Sequence, residues 1–182
     1  WAQFAVQGPR SRELLTSLTS ADLSGAAMPF RAVRRIRLAD NEVLLARITY
    51  AGELGYEIYV PNERALAVWD AIVAAGPAYG LSLYGLKALA SLRLEKGYRD
   101  YGHDIDNTDG VYEAGLGFAL DLTGEFVGRE AAVRAKAAPA RRRIMSVLLT
   151  DPAALLFHAE PVLRDGEYGG YIRTASYGWT LG

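Results

Sequence analysis

The stretch from Thr49 to Pro61, TYAGELGYEIYVP, constrains the fold of this chain more than any other segment, because it joins a glycine-hinged turn to an alternating strand. Gly52 and Gly55 let the backbone reverse direction, since glycine adopts positive φ without steric cost. The residues that follow are β-branched and aromatic, as in paired strands, and Glu57 stands among them. A carboxylate can accept two parallel hydrogen bonds from a flat pair of donors. The segment therefore indicates a binding site at Glu57.

Composition excludes several classes of function. The 182 residues are 51% hydrophobic and 23% charged, which is enough to build the core of a folded domain. A net charge of −1 offers no overall attraction for phosphate backbones, so we expect no nucleic-acid partner. The chain has no cysteine, which is typical of a reducing compartment, and we expect a cytoplasmic protein. His103 and His158 are too far apart in sequence to indicate a metal-ligand pair.

No membrane segment is expected either. No apolar run approaches the roughly 20 residues that a membrane-spanning helix requires. The sequence begins inside a predicted strand and stops without a terminating element, so we expect further residues at both ends.

The apolar and polar pattern predicts an α+β organisation. Strands are predicted at residues 3–7 and in a hairpin over 33–50 that turns at Asp40-Asn41, and a helix capped by Ser11 is predicted to reach Leu18. The remaining predicted elements are helices over 63–75, 85–96 and 128–137, and strands in GFALDL, IMSVLLT, PVLRDGEYGGYIRT and SYGWT.

The predicted helix over 85–96 carries an arginine, Arg93, in the middle of its apolar arc of Leu86, Leu89, Ala90, Leu92 and Leu94. A buried guanidinium keeps its charge and needs an acceptor. We expect a structural ion pair, with Asp104, Asp106 or Glu113 as the nearby candidates.

Residues 98–127 form a loop-rich segment dense in Asp and Gly. His103, Asp104, Asp106 and Asp109 lack the ordered ligands and terminal glutamate of a calcium loop, so turn and capping roles are predicted and no metal site. Ala138-Pro139 and three arginines then predict a domain boundary, which divides the chain into 1–140 and 141–182.

Several motifs together resemble a known family: TYAGELGYEIYVP, SLRLEKGYRDYGHDID, YEAGLGFALDL and FVGREA. They are similar to the aminomethyltransferase family, the glycine-cleavage T-protein and its relatives, and GPRSRELL and EPVLRDGEYGGYI match its general pattern too. LRLEKGYR and GREA look most like the folate-binding C-terminal regions of dimethylglycine and sarcosine dehydrogenases.

The resemblance implies an α+β folate-binding aminomethyltransferase-type domain over 1–140, with its N-terminal part missing, followed by the start of a small, truncated β-barrel domain over 141–182. It implies one-carbon transfer from a small-molecule amine, such as a methylated glycine, to tetrahydrofolate. FAD would lie in a separate flavin-binding domain or subunit. In the family, a tyrosine and a glutamate seven residues later contact the pterin end of folate, and these correspond to Tyr50 and Glu57.

Strand geometry raises a difficulty for this pair. If Tyr50 paired with Tyr56 in a simple hairpin, Tyr50 and Glu57 would point to opposite faces of the sheet. A bulge or twist at the glycines is therefore expected.

Two departures from the family pattern limit what can be carried over. The catalytic aspartate of the family lies in an N-terminal segment outside this chain, so its acid-base residue has no counterpart here and the fragment alone is expected to be inactive. Ala88, Leu89 and Ala90 replace the ARD triplet of T-proteins, whose arginine helps to bind folate.

Other functions remain open at this point. One alternative is a non-catalytic folate-binding module in iron–sulfur enzyme maturation or regulation, but the chain reads TGEFVGREA where that branch has a KGCYxGQE motif. Another is a demethylase that acts on a sulfonium compound. The simplest is that Tyr50 and Glu57 are ordinary strand surface residues.

Overall fold

The computed structural model describes residues 1–139 and 141–181 and contains two compact units, Trp1–Lys96 and Gly97–Gly182. The predicted boundary at 140/141 falls on Ala140, which lies outside the described residues, and it stays a prediction. The fold is mixed α and β, as expected. None of the helices in the described ranges is both long and apolar enough to cross a membrane.

Six strands and four α-helices make up the regular structure of the described residues. In chain order they are β1 Ala2–Gln7, α1 Ser11–Thr16, β2 Val33–Leu38, β3 Asn41–Ala46, β4 Gly55–Val60, α2 Asn62–Ala75, α3 Leu86–Glu95, α4 Arg129–Ala137, β5 Pro161–Arg164 and β6 Glu167–Tyr171. Short 3-10 helices follow α2 at Gly76–Tyr79 and precede α4 at Gly117–Ala119.

The first unit is built around an antiparallel sheet in the order β1-β4-β3-β2. The predicted hairpin is confirmed as β2 and β3, but its turn lies one residue earlier than predicted. Ala39 and Asp40 are the central residues, with φ of 44° and 61°. Positive φ at both central residues is the two-residue turn whose twist suits a hairpin, and it places Leu38 opposite Asn41.

One face of this sheet forms the core of the first unit. Strand residues alternate between the two faces, so every second side chain is buried. Helix α2 covers this face, with the ring centroid of Trp69 at 5.6 Å from that of Phe4. The core side chains contributed by the strands are Val6, Ile36, Leu38, Val43, Leu45, Tyr56, Ile58 and Val60.

The helices of the first unit agree with the prediction in position but differ in detail. Helix α2 occupies the predicted range, whereas Ser11 does not cap α1. It is the first helical residue, and its hydroxyl donates to the Leu54 carbonyl at 3.2 Å. In α3, Arg93 is buried at 2% exposure as predicted, but Leu86, Ala90 and Leu92 are exposed, so the predicted apolar arc is wrong at these three positions.

Two of the three partners predicted for Arg93, Asp106 and Glu113, contact other arginines within the second unit, and the ion pair predicted for Arg93 stays a prediction. Asp106 lies 3.3 Å from Arg173, and Glu113 lies 3.3 Å from Arg142. The predicted capping role is confirmed, because the Asp106 carboxylate accepts from the Thr108 amide at 2.7 Å.

Three predicted strands in the second unit are wrong. GFALDL contains the 3-10 helix Gly117–Ala119, and neither IMSVLLT nor SYGWT forms a strand. The hairpin in PVLRDGEYGGYIRT is confirmed as β5 and β6. It turns at Asp165 and Gly166, with φ of 55° and 85°, and its register shifts between Val162 and Leu163. A strand needs a partner, and the described residues offer none to the other two segments.

Candidate functional site

A cavity of about 260 Å³ opens in the first unit on the face of the sheet opposite the core. Strands β1 and β4, the β3–β4 loop and the start of α3 all contribute to it. Its lining residues are Gln3, Ala5, Gln7, Tyr50, Ala51, Glu57, Tyr84 and Leu89.

Glu57 lies at the floor of this cavity because of the strand register. In β4 the neighbours Tyr56 and Ile58 are fully buried in the core, so Glu57 points to the opposite face. It sits between Ala5 of β1 and Ala46 of β3, each directly opposite it on the adjacent strand. The two alanines leave space above the sheet next to the carboxylate.

Tyr50 lines the same cavity, but it lies in a loop and not at the end of a strand as expected. Strand β3 ends at Ala46, and β3 pairs with β4 from Ala46 to Leu44 without a register shift. Residues 47–54 form a loop, so Tyr50 is not bound by the alternation of a strand. The bulge expected at the glycines is therefore absent from the described ladder, and the conflict between Tyr50 and Glu57 disappears because Tyr50 is a loop residue.

The loop over 47–54 is stabilised by a hydrogen bond within it and by one at its C-terminal end to the residue after β1. The Gly52 amide donates to the Thr49 hydroxyl at 3.0 Å, and Gly52 has a φ of 81°, which favours glycine. The Leu54 carbonyl accepts from the Gly8 amide at 2.7 Å. These bonds fix the path of the loop beside the cavity.

Among the described residues, the Glu57 carboxylate has one side-chain hydrogen bond. The Tyr59 hydroxyl donates to Oε2 of Glu57 at 2.5 Å. This bond raises the pKa of the Tyr59 phenol, because ionising the phenol would cost the bond and bring two negative charges together. Within residues 1–139 and 141–181, Glu57 takes part in no ion pair. The carboxylate therefore keeps acceptor capacity for donors of a ligand.

Gln7 adds an amide to the same wall. Its Nε2 donates weakly to the Tyr56 carbonyl at 3.4 Å. Its Oε1 is buried and has no hydrogen-bond partner among the described residues. A Cβ at position 55 would lie 2.0 Å from this oxygen, so Gly55 is required for the amide to lie across β4.

Aromatic and aliphatic side chains complete the cavity. Tyr84 is 40% exposed, and burial raises the pKa of its phenol. Leu89 of α3 lies where the family pattern has the arginine of the ARD triplet. A carboxylate floor beside tyrosine rings suits a flat heterocycle with N–H donors along one edge.

The sequence predicted Tyr50 and Glu57, which both line the cavity, but none of the other six lining residues. Gln3, Gln7, Tyr84 and Leu89 were not predicted as site residues. The alternation in QFAVQ carried a signal, because Phe4 and Val6 face the core and place both glutamines on the other face. Leu89 carried a signal only through the resemblance, as the residue at the position of the family's arginine, and Tyr84 had none, since it approaches the cavity through tertiary packing.

The described ranges contain no cluster of three or more histidine, aspartate or glutamate side chains arranged to hold a metal ion. In the acidic segment, His103 Nδ1 lies 3.1 Å from the Asp100 carboxylate. Asp109 accepts from the Asp106 amide at 2.9 Å.

This chain is similar to known proteins in both sequence and fold. Residues 1–124 match the family described as the GCVT N-terminal domain. The structure resembles the crystal structure of the glycine cleavage system aminomethyltransferase T from Bartonella henselae with a TM-score of 0.78 and 24% sequence identity, over 97% of this chain and 47% of that chain. The chain thus has an aminomethyltransferase-type fold, and it belongs to the aminomethyltransferase (glycine-cleavage T-protein) family.

Two relatives indicate the range of proteins that contain this fold. The chain is 40% identical to the 4-methylaminobutanoate oxidase (formaldehyde-forming) of Paenarthrobacter nicotinovorans, over 100% of this chain and 22% of the relative. It is 37% identical to the mitochondrial sarcosine dehydrogenase of Mus musculus, over 97% of this chain and 19% of the relative. The chain therefore spans about a fifth of the length of these two relatives.

Proposed function

We propose that this chain forms the pterin-binding part of a domain that transfers one-carbon units to tetrahydrofolate. The observation that supports the proposal most is that Tyr50 and Glu57, separated by seven positions and borne by a loop and a strand, line one cavity. Family membership alone would be compatible with a surface role for both residues.

The residues present fit a reduced pterin. Its amino group and neighbouring ring N–H form a flat pair of donors, and Glu57 supplies the matching acceptor. A volume of about 260 Å³ is slightly below the roughly 300–1,000 Å³ of pockets that enclose a drug-sized ligand, so the cavity suits one end of folate. When bound, tetrahydrofolate would supply the nitrogen that accepts the one-carbon unit. The chain's own residues would bind and orient the ring.

The wider reaction is part of the same proposal. The donor would be a methylated glycine or a related small amine, because relatives are named for sarcosine and dimethylglycine. FAD would belong to a separate flavin-binding domain or subunit, in keeping with the dehydrogenase names. The acid-base aspartate would lie outside these 182 residues, so the fragment alone would not turn over. The hairpin of β5 and β6 would belong to a small β-barrel domain, in a cytoplasmic protein.

Binding of folinic acid, a stable tetrahydrofolate derivative, tests the proposal in the full-length protein. We expect Glu57→Gln to weaken the affinity by roughly 10- to 100-fold, since a hydrogen bond to a charged group contributes about 1.5–3 kcal/mol. Isothermal titration calorimetry measures the change. Glu42→Gln is the matched control, because Glu42 is an exposed carboxylate of the same sheet that pairs with Arg35 at 3.3 Å.

An unchanged affinity of Glu57→Gln would contradict the assignment of the site. Binding without any one-carbon transfer by the full-length protein would favour the non-catalytic folate-binding module. An equal loss in Glu42→Gln would show that the effect reflects the charge of the sheet and not the cavity.

A further inference from the structure

We propose that Tyr59 is a positioning residue, which holds the Glu57 carboxylate in the orientation that receives the ligand and does not itself touch the ligand. The proposal rests on the proposed function, because it concerns the same carboxylate. It adds a residue whose role is exerted entirely through Glu57.

The placement of Tyr59 separates it from the ligand space. Tyr59 and Glu57 are two positions apart in β4, so their side chains lie side by side on the same face of the sheet. Glu57 lines the cavity, whereas Tyr59 does not. Across the sheet Tyr59 stands between Gln3 and Leu44, in the row next to that of Glu57. Its hydroxyl is thus directed along the strand to the carboxylate.

The contact is specific to one carboxylate oxygen. The Tyr59 hydroxyl donates to Oε2 at 2.5 Å, and a hydrogen bond to an ionised acceptor is stronger than one between neutral groups. Oε1 is left for donors of the ligand, and Oε2 retains a second lone pair. The rise in the pKa of the phenol has the same origin, since the carboxylate beside it stabilises the protonated hydroxyl.

Fixing the carboxylate has a physical consequence for binding. A glutamate side chain has three rotatable bonds, and ordering it at the moment of binding costs conformational free energy. The two small neighbours of Glu57, Ala5 and Ala46, restrain it little. The Tyr59 hydroxyl supplies the restraint before the ligand arrives, so the carboxylate is preorganised.

The same strand contains a matched control. Tyr56 is fully buried on the opposite face, where its hydroxyl accepts from Nε of Arg12 at 3.0 Å. Tyr56→Phe and Tyr59→Phe remove the same atom from the same strand on opposite faces of the sheet. A general effect of losing a tyrosine hydroxyl would appear in both variants, whereas an effect through Glu57 would appear only in Tyr59→Phe.

A double-mutant cycle in the full-length protein tests the inference. Folinic acid is titrated into the wild type, Tyr59→Phe, Glu57→Gln, the double variant and Tyr56→Phe, with the melting temperature of each recorded. When Tyr59→Phe is made in the otherwise wild-type protein, we expect it to weaken folinic acid binding roughly 3- to 10-fold, as for the loss of one hydrogen bond. In the Glu57→Gln background we expect no further loss, because residues that act as one unit are not additive.

The outcomes separate this inference from the proposed function. If Glu57→Gln leaves the affinity unchanged, the proposed function fails. If Glu57→Gln weakens binding but the Tyr59→Phe effect is additive to it, or equals that of Tyr56→Phe, the proposed function stands and the positioning role of Tyr59 is overturned. A fall in melting temperature for Tyr59→Phe with an unchanged affinity would also overturn it.

Discussion

The two units of this chain are stabilised by different interactions. In the first unit, aliphatic side chains from every strand and from α1 and α2 form one buried cluster. In the described part of the second unit, Ala114 at 2% exposure is the one hydrophobic residue that is buried to this degree. Burial of apolar area is non-directional and tolerates exchange of similar residues. A unit with little of it depends on particular polar partners.

The polar partners of the second unit converge on two arginines. Arg173 donates to the Asp104 carbonyl at 2.9 Å and to the Asp109 carboxylate at 2.8 Å. Arg142 donates to the Thr108 carbonyl at 2.8 Å and lies 3.3 Å from the Glu113 carboxylate. These bonds connect the acidic loop to segments far along the chain. The comparison predicts that core truncation damages the first unit most and that loss of an arginine damages the second unit most.

The largest effect is expected from Leu45→Ala. Leu45 has 0% exposure and lies opposite Ile58 in the middle of the sheet. Truncation leaves a cavity and should lower the free energy of unfolding of the first unit by about 2–5 kcal/mol. Urea denaturation, with hydrogen exchange of the β3 and β4 amides, measures the loss.

Leu66→Ala is the control for that truncation, since Leu66 lies on α2 with 71% exposure. We expect a change of about 0.5 kcal/mol or less there. An equal loss of amide protection in β5 and β6 after Leu45→Ala would show that the two units are not stabilised separately.

The next effect in size is expected from Arg173→Met, which keeps the length of the side chain and removes its charge. The Asp109 side chain is only 8% exposed, so the variant would leave a largely buried carboxylate without its closest cation. We expect a loss of about 2 kcal/mol in the stability of the second unit, measured by hydrogen exchange at β6. The control Arg164→Met removes an exposed ion pair with Asp165 in the same hairpin and should change little.

The same contrast explains where sequence reasoning succeeded. Helix α2 and the hairpin of β2 and β3 have periodic apolar positions that face a core, and both were predicted, the helix close to its observed bounds and the hairpin with an end four residues too late. GFALDL has a comparable apolar content, yet Phe118 is 86% exposed and no strand forms. Periodicity predicts an element only where a core exists to bury the apolar side, and that condition is tertiary.

The candidate site shows a related limit. The family resemblance indicated Tyr50 and Glu57 as a pair, but strand alternation alone placed them on opposite faces. The conflict disappears because β3 ends at Ala46, so that Tyr50 lies in a loop. The ends of strands and helices are poorly specified by the local sequence. Leu89 reaches the cavity from a helix further along the chain, and only the family resemblance, through the arginine that Leu89 replaces, pointed to that position.

The smallest effect on stability is expected from a change of pH. The second unit should lose stability at acid pH, and the first unit should lose stability at alkaline pH as well. In the second unit, hydrogen bonds from Thr108 hold the pKa of Asp106 below its usual range, with Arg173 contributing. The Gly110 amide lowers the pKa of Glu113 in the same way, with Arg142 contributing. A carboxyl group whose pKa is lowered by folding stabilises the folded state above its unfolded pKa, and this contribution is lost as the pH falls through the lowered value.

We therefore expect the second unit to loosen as the pH falls below about 4. In the first unit Asp22 also has a lowered pKa, owing to the amide and hydroxyl of Ser24, but Tyr59 and Tyr84 have raised ones. A raised tyrosine pKa gives stability that is complete below the unfolded value of 10.0 and lost as the pH rises through the folded value. Amide hydrogen exchange at acid, neutral and alkaline pH, corrected for intrinsic rates, measures both the acid and the alkaline loss of stability. Acid loosening that began in β3 and β4 while β5 and β6 stayed protected would contradict the contrast between an apolar first unit and an ion-paired second unit.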